Sequence, residues 1–234
     1  ADPGTLSVSM KLNAAVTRLA GARNNVQNGM SFVEVQDGML ETAGRIVNRM
    51  AELKGMATQD PMKSDQDIAS YDNEFRDLQV QLHQISQQTF NGASLFAQYT
   101  QKTGGAETVF GGASQSTTLD NTISIFTSSN GTTGTKISIH KSILLSALTI
   151  DADDYTSKAF STANNAAAAG TGGTFSFAAS DVSDAMTLDK VSMAVFEQAL
   201  SNVAFLRAQA GGSMSRLSFA ADSLAAQETN IRAA

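Results

Sequence analysis

From Gly4 to Asp60 the chain runs without a proline, and apolar side chains recur along it at helical spacing. Val26, Met30, Val33, Leu40, Val47, Met50 and Leu53 stand three, four or seven residues apart, which gathers them into one stripe on a helix. The spacing predicts a helix over about Leu6 to Ala57, stopped by the Asp60-Pro61 step because a residue before proline avoids the helical region. An isolated amphipathic helix of roughly 50 residues cannot bury such a stripe, so a second long helix must lie against it. At 1.5 Å per residue, helices of this length reach about 75 Å, and the chain is expected to form a rod.

The partner is expected near the other end of the chain. Leu188, Val191, Val195, Val203, Leu206, Ala210, Met214, Leu217, Ala221, Leu224 and Ile231 supply a second stripe, which predicts a helix over roughly Val182 to Arg232. Gly211-Gly212 lowers helix propensity there by ~1 kcal/mol per glycine, but the stripe keeps phase on both sides and the helix should continue. A shorter helix lies between the two. Ser64 reads as its N-cap, with Asp65 and Asp67 in a first turn where the helix dipole favours acids. Ile68, Tyr71, Phe75, Leu78, Leu82 and Ile85 alternate steps of three and four, a heptad seam. Phe90-Asn91-Gly92 is read as its end, with Gly92 in the left-handed conformation that closes helices.

Residues 100–180 change character, being rich in Gly, Ser, Thr and Asn. Ile123-Ser124-Ile125-Phe126 and Lys136-Ile137-Ser138-Ile139 alternate as the strands of a hairpin, with Asn130-Gly131 and Gly134 in the loop between them. Asn164 to Gly173 is a small-residue stretch that reads equally as a loop or a helix end. The expected fold is mainly α with a small β-rich insertion: an elongated antiparallel bundle of long helices, coiled-coil-like, carrying a β-hairpin region. The expected segments are 1–4, a cloning scar set aside from fold reasoning; 5–99, the first two helices; 100–180, the insertion; and 181–234, the third helix.

Composition narrows the function. Net charge is -6 and the pI about 4.8, so a nucleic-acid partner has no electrostatic footprint. Cysteine is absent, which removes disulfides and thiolate metal sites. No apolar run approaches ~18 residues, so no membrane insertion is expected. His83 and His140 do not form an H-E-x-x-H pair, and His83 reads as an exposed or satisfied histidine. The glycine pairs Gly104-Gly105 and Gly111-Gly112 are not followed by Lys-Ser or Lys-Thr, and the spacing from Gly131 to Lys136 is wrong for a phosphate loop. Asp151, Asp153 and Asp154 lack the other positions of a calcium loop and read as a solvated turn. No nucleophile, base and orienter can be assembled, so no catalytic residue, cofactor or metal is expected. Asn130-Gly131-Thr132 fits the N-linked glycan acceptor pattern.

Several stretches resemble one family. Ala22-Arg23-Asn24, Asn28-Gly29-Met30-Ser31 and Gln36-Asp37-Gly38-Met39-Leu40 follow the order of the bacterial flagellin run "RN…DGIS…EGAL". Arg49-Met50-Ala51-Glu52-Leu53 resembles the flagellin "RVREL" segment, and Thr89-Phe90-Asn91-Gly92 with Leu95 resembles "TxFNGxxL". Glu228 to Arg232 looks like the stretch before the C-terminal "SRI…D" motif. The resemblance covers roughly 10–96 and 188–234. It implies a secreted, extracellular structural subunit of the flagellar filament, assembling with other flagellin subunits for motility. It also implies a rod fragment lacking the terminal polymerisation helices and monomeric without them.

The same resemblance implies a second partner, a flagellin-sensing Toll-like receptor of animal hosts. Arg49, Leu53 and Glu74 match the family's receptor-binding positions. Ala51 departs from the family's second arginine, and Lys54, Gly55 and Met56 replace a neutral, mostly apolar tail. A purely structural role remains open for Arg49, pairing with Glu52 three residues on. The exposed Gln79, Gln81, Gln84, Gln87 and Gln88 suit subunit contacts or an ordinary solvated face. The alternatives to a filament subunit are a hook–filament junction protein and a coiled-coil-stalked surface sensor or adhesin.

Overall fold

In this computed structural model, the structure describes residues 2–59, 61–97, 122–128, 130–158, 160–161, 165 and 173–233. The first helix, α1, spans Pro3–Gln59 and starts earlier than the apolar spacing predicts. The reason lies in the residues set aside at the start. Proline at the first helical position loses no hydrogen bond, and the Asp2 carboxylate accepts the Gly4 N–H at 3.1 Å. The helix ends at Gln59; Asp60, half of the expected stop signal, lies outside the described residues.

Contacts divide the chain into two units: Ala1–Val35, Thr122–His140 and Gln209–Ala234 in one, Gln36–Asn121 and Lys141–Ala208 in the other. The last helix, α4 (Met193–Ala233), contributes to both, as α1 does.

In the first unit Leu19, Ala22, Val26 and Val33 of α1 are buried with Leu217 and Leu224 of α4. Arg23 forms an ion pair with Glu228 while Asn13 and Val16 lie beside Ile231, so the two helices run antiparallel. Helix α4 passes through Gly211-Gly212 unbroken, as its stripe predicts. Against this pair sits the expected hairpin, β3 (Thr122–Phe126) with β4 (Lys136–His140), in the register Ser124 to Ser138. Gly29 makes the close approach possible: a methyl group there would stand 3.2 Å from Ile125 Cγ1 and 3.4 Å from Ile139 Cδ1. Arg216 of α4 donates to the Ser138 carbonyl at 3.1 Å, satisfying a group on the hairpin's edge.

In the second unit Leu40, Ala43, Val47, Met50 and Leu53 of α1 are buried, as are Val195, Ala199, Val203 and Leu206 of α4. Asp37 accepts two hydrogen bonds from Arg207, at 3.0 and 3.2 Å, and Gly44 lies against Val203, again antiparallel. Helix α2 (Asp65–Ser86) starts on the expected cap, and the cap is a full box: Ser64 Oγ accepts the Asp67 N–H while Asp67 accepts the Ser64 N–H, both at 3.2 Å. Its end differs from expectation. The helix stops at Ser86, and Phe90-Asn91-Gly92 instead closes a tight hairpin of β1 (Thr89–Phe90) and β2 (Ala93–Ser94). Asn91 (φ 50°) and Gly92 (φ 79°) both take positive φ, as a type I′ turn requires. Gly92 is left-handed, but in a hairpin and not at a helix end.

The buried stripe of α2 is also rotated from the predicted seam. Phe75 and Leu82 are buried, but Gln79 and Ser86 join them while Tyr71, Leu78 and Ile85 are half-buried and Ile68 is exposed. Gln79 is drawn inward by backbone. Its Oε1 accepts the Met186 N–H at 2.8 Å and its Nε2 donates to the Met186 carbonyl at 3.0 Å. Asp72 accepts the Leu188 N–H at 2.8 Å, and the Lys54 ammonium donates to the Leu188 carbonyl at 2.7 Å. The stretch before α4 therefore lies along the helices with its peptide groups satisfied by side chains. It forms two short 3-10 turns, Val182–Asp184 and Leu188–Lys190, and α4 begins at Met193 and not near Val182. Leu188 and Val191 are buried all the same.

The rest of this unit packs on α4. Phe196 meets Phe75 at 5.9 Å and Phe177 at 4.9 Å between ring centroids. Strand β5 (Thr149–Asp151), after the short helix α3 (Leu144–Ala147), pairs with β6 (Thr174–Ser176). Asn202 of α4 donates to the Ala147 carbonyl at 2.9 Å and to Ser157 Oγ at 3.0 Å. Of the stretch from Asn164 to Gly173, only Asn165 and Gly173 are among the described residues, and Gly104-Gly105 and Gly111-Gly112 lie outside them.

Candidate functional site: the Arg49 face

Arg49 stands on the outward side of α1 and keeps 42% of its side chain exposed. Its guanidinium meets Glu74 of α2 as a fork, Nε to Oε1 at 2.8 Å and Nη2 to Oε2 at 3.2 Å. The third nitrogen reaches Glu52 at 3.2 Å, the pairing read from the sequence as its structural alternative. The hydrogen bonds it donates to Glu74, then to Glu52, hold the guanidinium above its ordinary pKa. One cation and two carboxylates thus form an exposed, pre-oriented set spanning two helices.

Leu53, one helical turn on, has no exposed surface and belongs to the core with Met50 and Val47. Unlike Arg49 and Glu74, it offers no surface to solvent. Lys54 bends inward, and burial lowers its pKa against the opposing influence of Asp189 and Asp72. Beside Arg49 a groove of about 540 Å³ runs between α1 and α4, floored by Leu40, Gly44 and Val203 and rimmed by Arg45, Glu52 and Arg207.

Glu74 and Arg49 were each singled out by resemblance, but nothing local in the sequence joins residues 25 positions apart. Opposite charges on two helices expected to be neighbours were the available signal. Of the five glutamines on α2 and its exit, Gln81, Gln84, Gln87 and Gln88 are exposed, whereas Gln79 is wholly buried and is removed from any outer contact surface.

The other chemistry-bearing residues are engaged locally. His83 packs its ring against Phe160 at 5.7 Å, and burial lowers its pKa. Asp151 accepts the Asp153 N–H at 2.8 Å, and Asp154 accepts the Thr156 N–H and hydroxyl at 2.9 and 2.6 Å, so this acidic cluster is a turn. No group of three or more His, Cys, Asp or Glu among the described residues could hold a metal ion, and no described helix is long and apolar enough to cross a membrane.

Residues 1–101 match the family described as the bacterial flagellin N-terminal helical region. A flagellar filament 31.3 kDa core protein of Treponema maltophilum is 31% identical over 111 residues, covering 47% of this chain and 38% of that protein. A flagellin of Halalkalibacterium halodurans is 30% identical over 95 residues, covering 40% and 35%. The chain thus matches little more than a third of the length of these curated relatives. The crystal structure of Bacillus cereus flagellin superposes with a TM-score of 0.51 at 19% identity, over 90% of this chain and 94% of that one, which establishes a shared fold. Over residues 1–101 the chain is thus similar to the flagellin N-terminal helical region, and it shares the fold of a solved flagellin.

Proposed function

We propose that the chain is the helical part of a flagellar filament subunit, a secreted structural protein and not an enzyme, which works by repeated contacts with other copies of itself outside the cell. Supporting this is the joint occurrence of a flagellin N-terminal helical region and a flagellin fold across both long helices. Subunit contacts that repeat without closing build an open helix, and long antiparallel helices with polar outer faces offer lateral surface for them. Immunogold labelling of the producing cells with antiserum against this chain tests the reading. Gold along the whole shaft supports it. Gold confined to the shaft's base assigns the chain to the hook–filament junction, and gold absent from flagella leaves a stalked surface protein.

A second role rests on the Arg49–Glu74 pair. The face it forms suits a host Toll-like receptor that recognises flagellin, with the arginine as the anchoring side chain. Leu53 lies buried beneath that face. If the reading holds, Arg49→Ala lowers affinity for the receptor ectodomain by tenfold or more, a typical hot-spot loss of about 1.4 kcal/mol or greater. Glu74→Ala weakens binding by releasing the arginine from its fork. Unchanged affinity in both variants, measured by surface plasmon resonance, refutes it.

A further inference from the structure

We propose that residues 187–192 are a conformational latch: a strap that side chains of α1 and α2 hold stretched, and that joins α4 as a further helical turn when they release it. The backbone is helical on both sides of the break. Leu188–Lys190 forms a 3-10 turn, α4 begins at Met193, and of the two residues between them Val191 is extended, at φ -115° and ψ 126°. Neither proline nor glycine occurs from Asp181 to Ala210, so nothing in the local sequence enforces the break. Leu188, Val191 and Val195 are all buried and stand three and four residues apart, the spacing of a continuous helix. Thr187, at φ -97° and ψ 157°, already has the backbone of an N-cap, and Asp189 would sit in a first turn where the dipole favours an acid.

What holds the break open comes from other elements. Lys54 of α1 donates to the Leu188 carbonyl at 2.7 Å, Asp72 of α2 accepts the Leu188 N–H at 2.8 Å, and Gln79 of α2 engages both the N–H and the carbonyl of Met186. In a continuous helix the Leu188 carbonyl would instead accept the N–H of Ser192, four residues on. The two arrangements also differ in length. Two extended residues span about 7 Å and two helical ones about 3 Å, so closing the break draws Leu188 toward α4 by about 4 Å. Hydrogen bonds do not survive a displacement of that size, and the anchors and the added turn therefore exclude each other.

The anchors are not equally secure. Lys54 loses part of its hydration in reaching Leu188, and burial lowers its pKa against the influence of Asp189 and Asp72. Gln79 and Met186 are wholly buried, so the released state draws Met186 out of the core and leaves the Gln79 amide without it. The latch thus switches the cover over this part of α2 as well as the length of α4. The proposal is independent of the filament reading.

The test is nuclear magnetic resonance on the whole chain, reading the backbone carbon shifts of Val191 and Ser192, which distinguish extended from helical backbone. Wild type should give an extended Val191. Lys54→Met with Asp72→Ala cuts both anchors on Leu188 and should move Val191 and Ser192 toward helical values. Adding Ser192→Pro should restore the extended values, because proline has no N–H to give the Leu188 carbonyl and the residue before it avoids the helical region. Lys54→Met alone should give a smaller shift in the same direction, and it decides the matter if the double variant unfolds. Extended values in both anchor variants overturn the proposal. So do random-coil values across residues 187–192, which would mean that the strap melts instead of joining α4, and helical values that survive Ser192→Pro.

Discussion

Replacing Gln79 with leucine tests whether one buried amide holds the stretch before α4 in place. Gln79 and Met186 are both wholly buried, and the side chain satisfies the N–H and the carbonyl of Met186 at 2.8 and 3.0 Å. Its third bond, to the Phe75 carbonyl at 3.2 Å, adds to an oxygen inside a helix and matters less. Leucine fills similar space but orphans two buried backbone groups, each at about 1–3 kcal/mol. Avoiding the amide's own desolvation and burying leucine's carbons return about 1–2 kcal/mol. Taken at mid-range, the net expected loss is about 2.5 kcal/mol, large against a typical domain stability of about 5–15 kcal/mol. Urea unfolding followed by circular dichroism gives the global change, and native-state hydrogen exchange at the Met186 amide gives the local one. Gln79→Glu supplies the control. It keeps an acceptor for the Met186 N–H but turns a carboxylate on the Met186 carbonyl. The variant should be as unstable as leucine at neutral pH and recover in acid, where the protonated carboxyl is the form the fold prefers. A loss under about 1 kcal/mol for leucine, with Met186 protection unchanged, refutes the reasoning.

Gly92→Ala isolates backbone strain, since nothing lies within 4 Å of the added methyl and φ is 79°; a loss of about 1 kcal/mol is expected by thermal or urea denaturation, and a neutral result contradicts it. Gly29→Leu should displace the β3–β4 hairpin from α1, because even a methyl would stand 3.2 Å from Ile125, and should expose the hairpin's amides to rapid hydrogen exchange. Glu228 is held below its ordinary 4.5, first by the Arg23 hydrogen bond and then by Arg232. Its stabilising contribution is therefore present above about 4.5 and lost as pH falls through the lower folded-state value. Glu228→Gln should flatten that acid limb of the stability curve, and an unaltered limb argues against the pair. His83 is shifted down from 6.5 by burial, so folding favours the neutral ring and stability should rise with pH up to about 6.5. His83→Gln removes that slope if the assignment holds.

Period and punctuation alone determined the framework. The stripes on α1 and α4 can be buried only against another long helix, so their pairing follows from the sequence. The Ser64 cap, the Thr122–Phe126 and Lys136–His140 strands and the passage of α4 through its glycine pair depend on neighbours a few residues away, and each is legible for that reason. What the sequence could not settle involves partners distant along the chain. Gln79 looks like one more surface glutamine until Met186, 107 residues on, supplies backbone for it to bind. The same contacts explain why α4 starts at Met193: side chains of α1 and α2 satisfy peptide groups that a longer helix would have satisfied itself. Phe90-Asn91-Gly92 carries a left-handed signal that suits a helix end or a hairpin equally, and pairing of Phe90 with Ala93 decides between them. At the candidate site, resemblance supplied Arg49, Leu53 and Glu74 as equals. Tertiary packing separated them: the long Arg49 side chain carries its charge out to Glu74, whereas the short apolar Leu53 side chain is enclosed in the core.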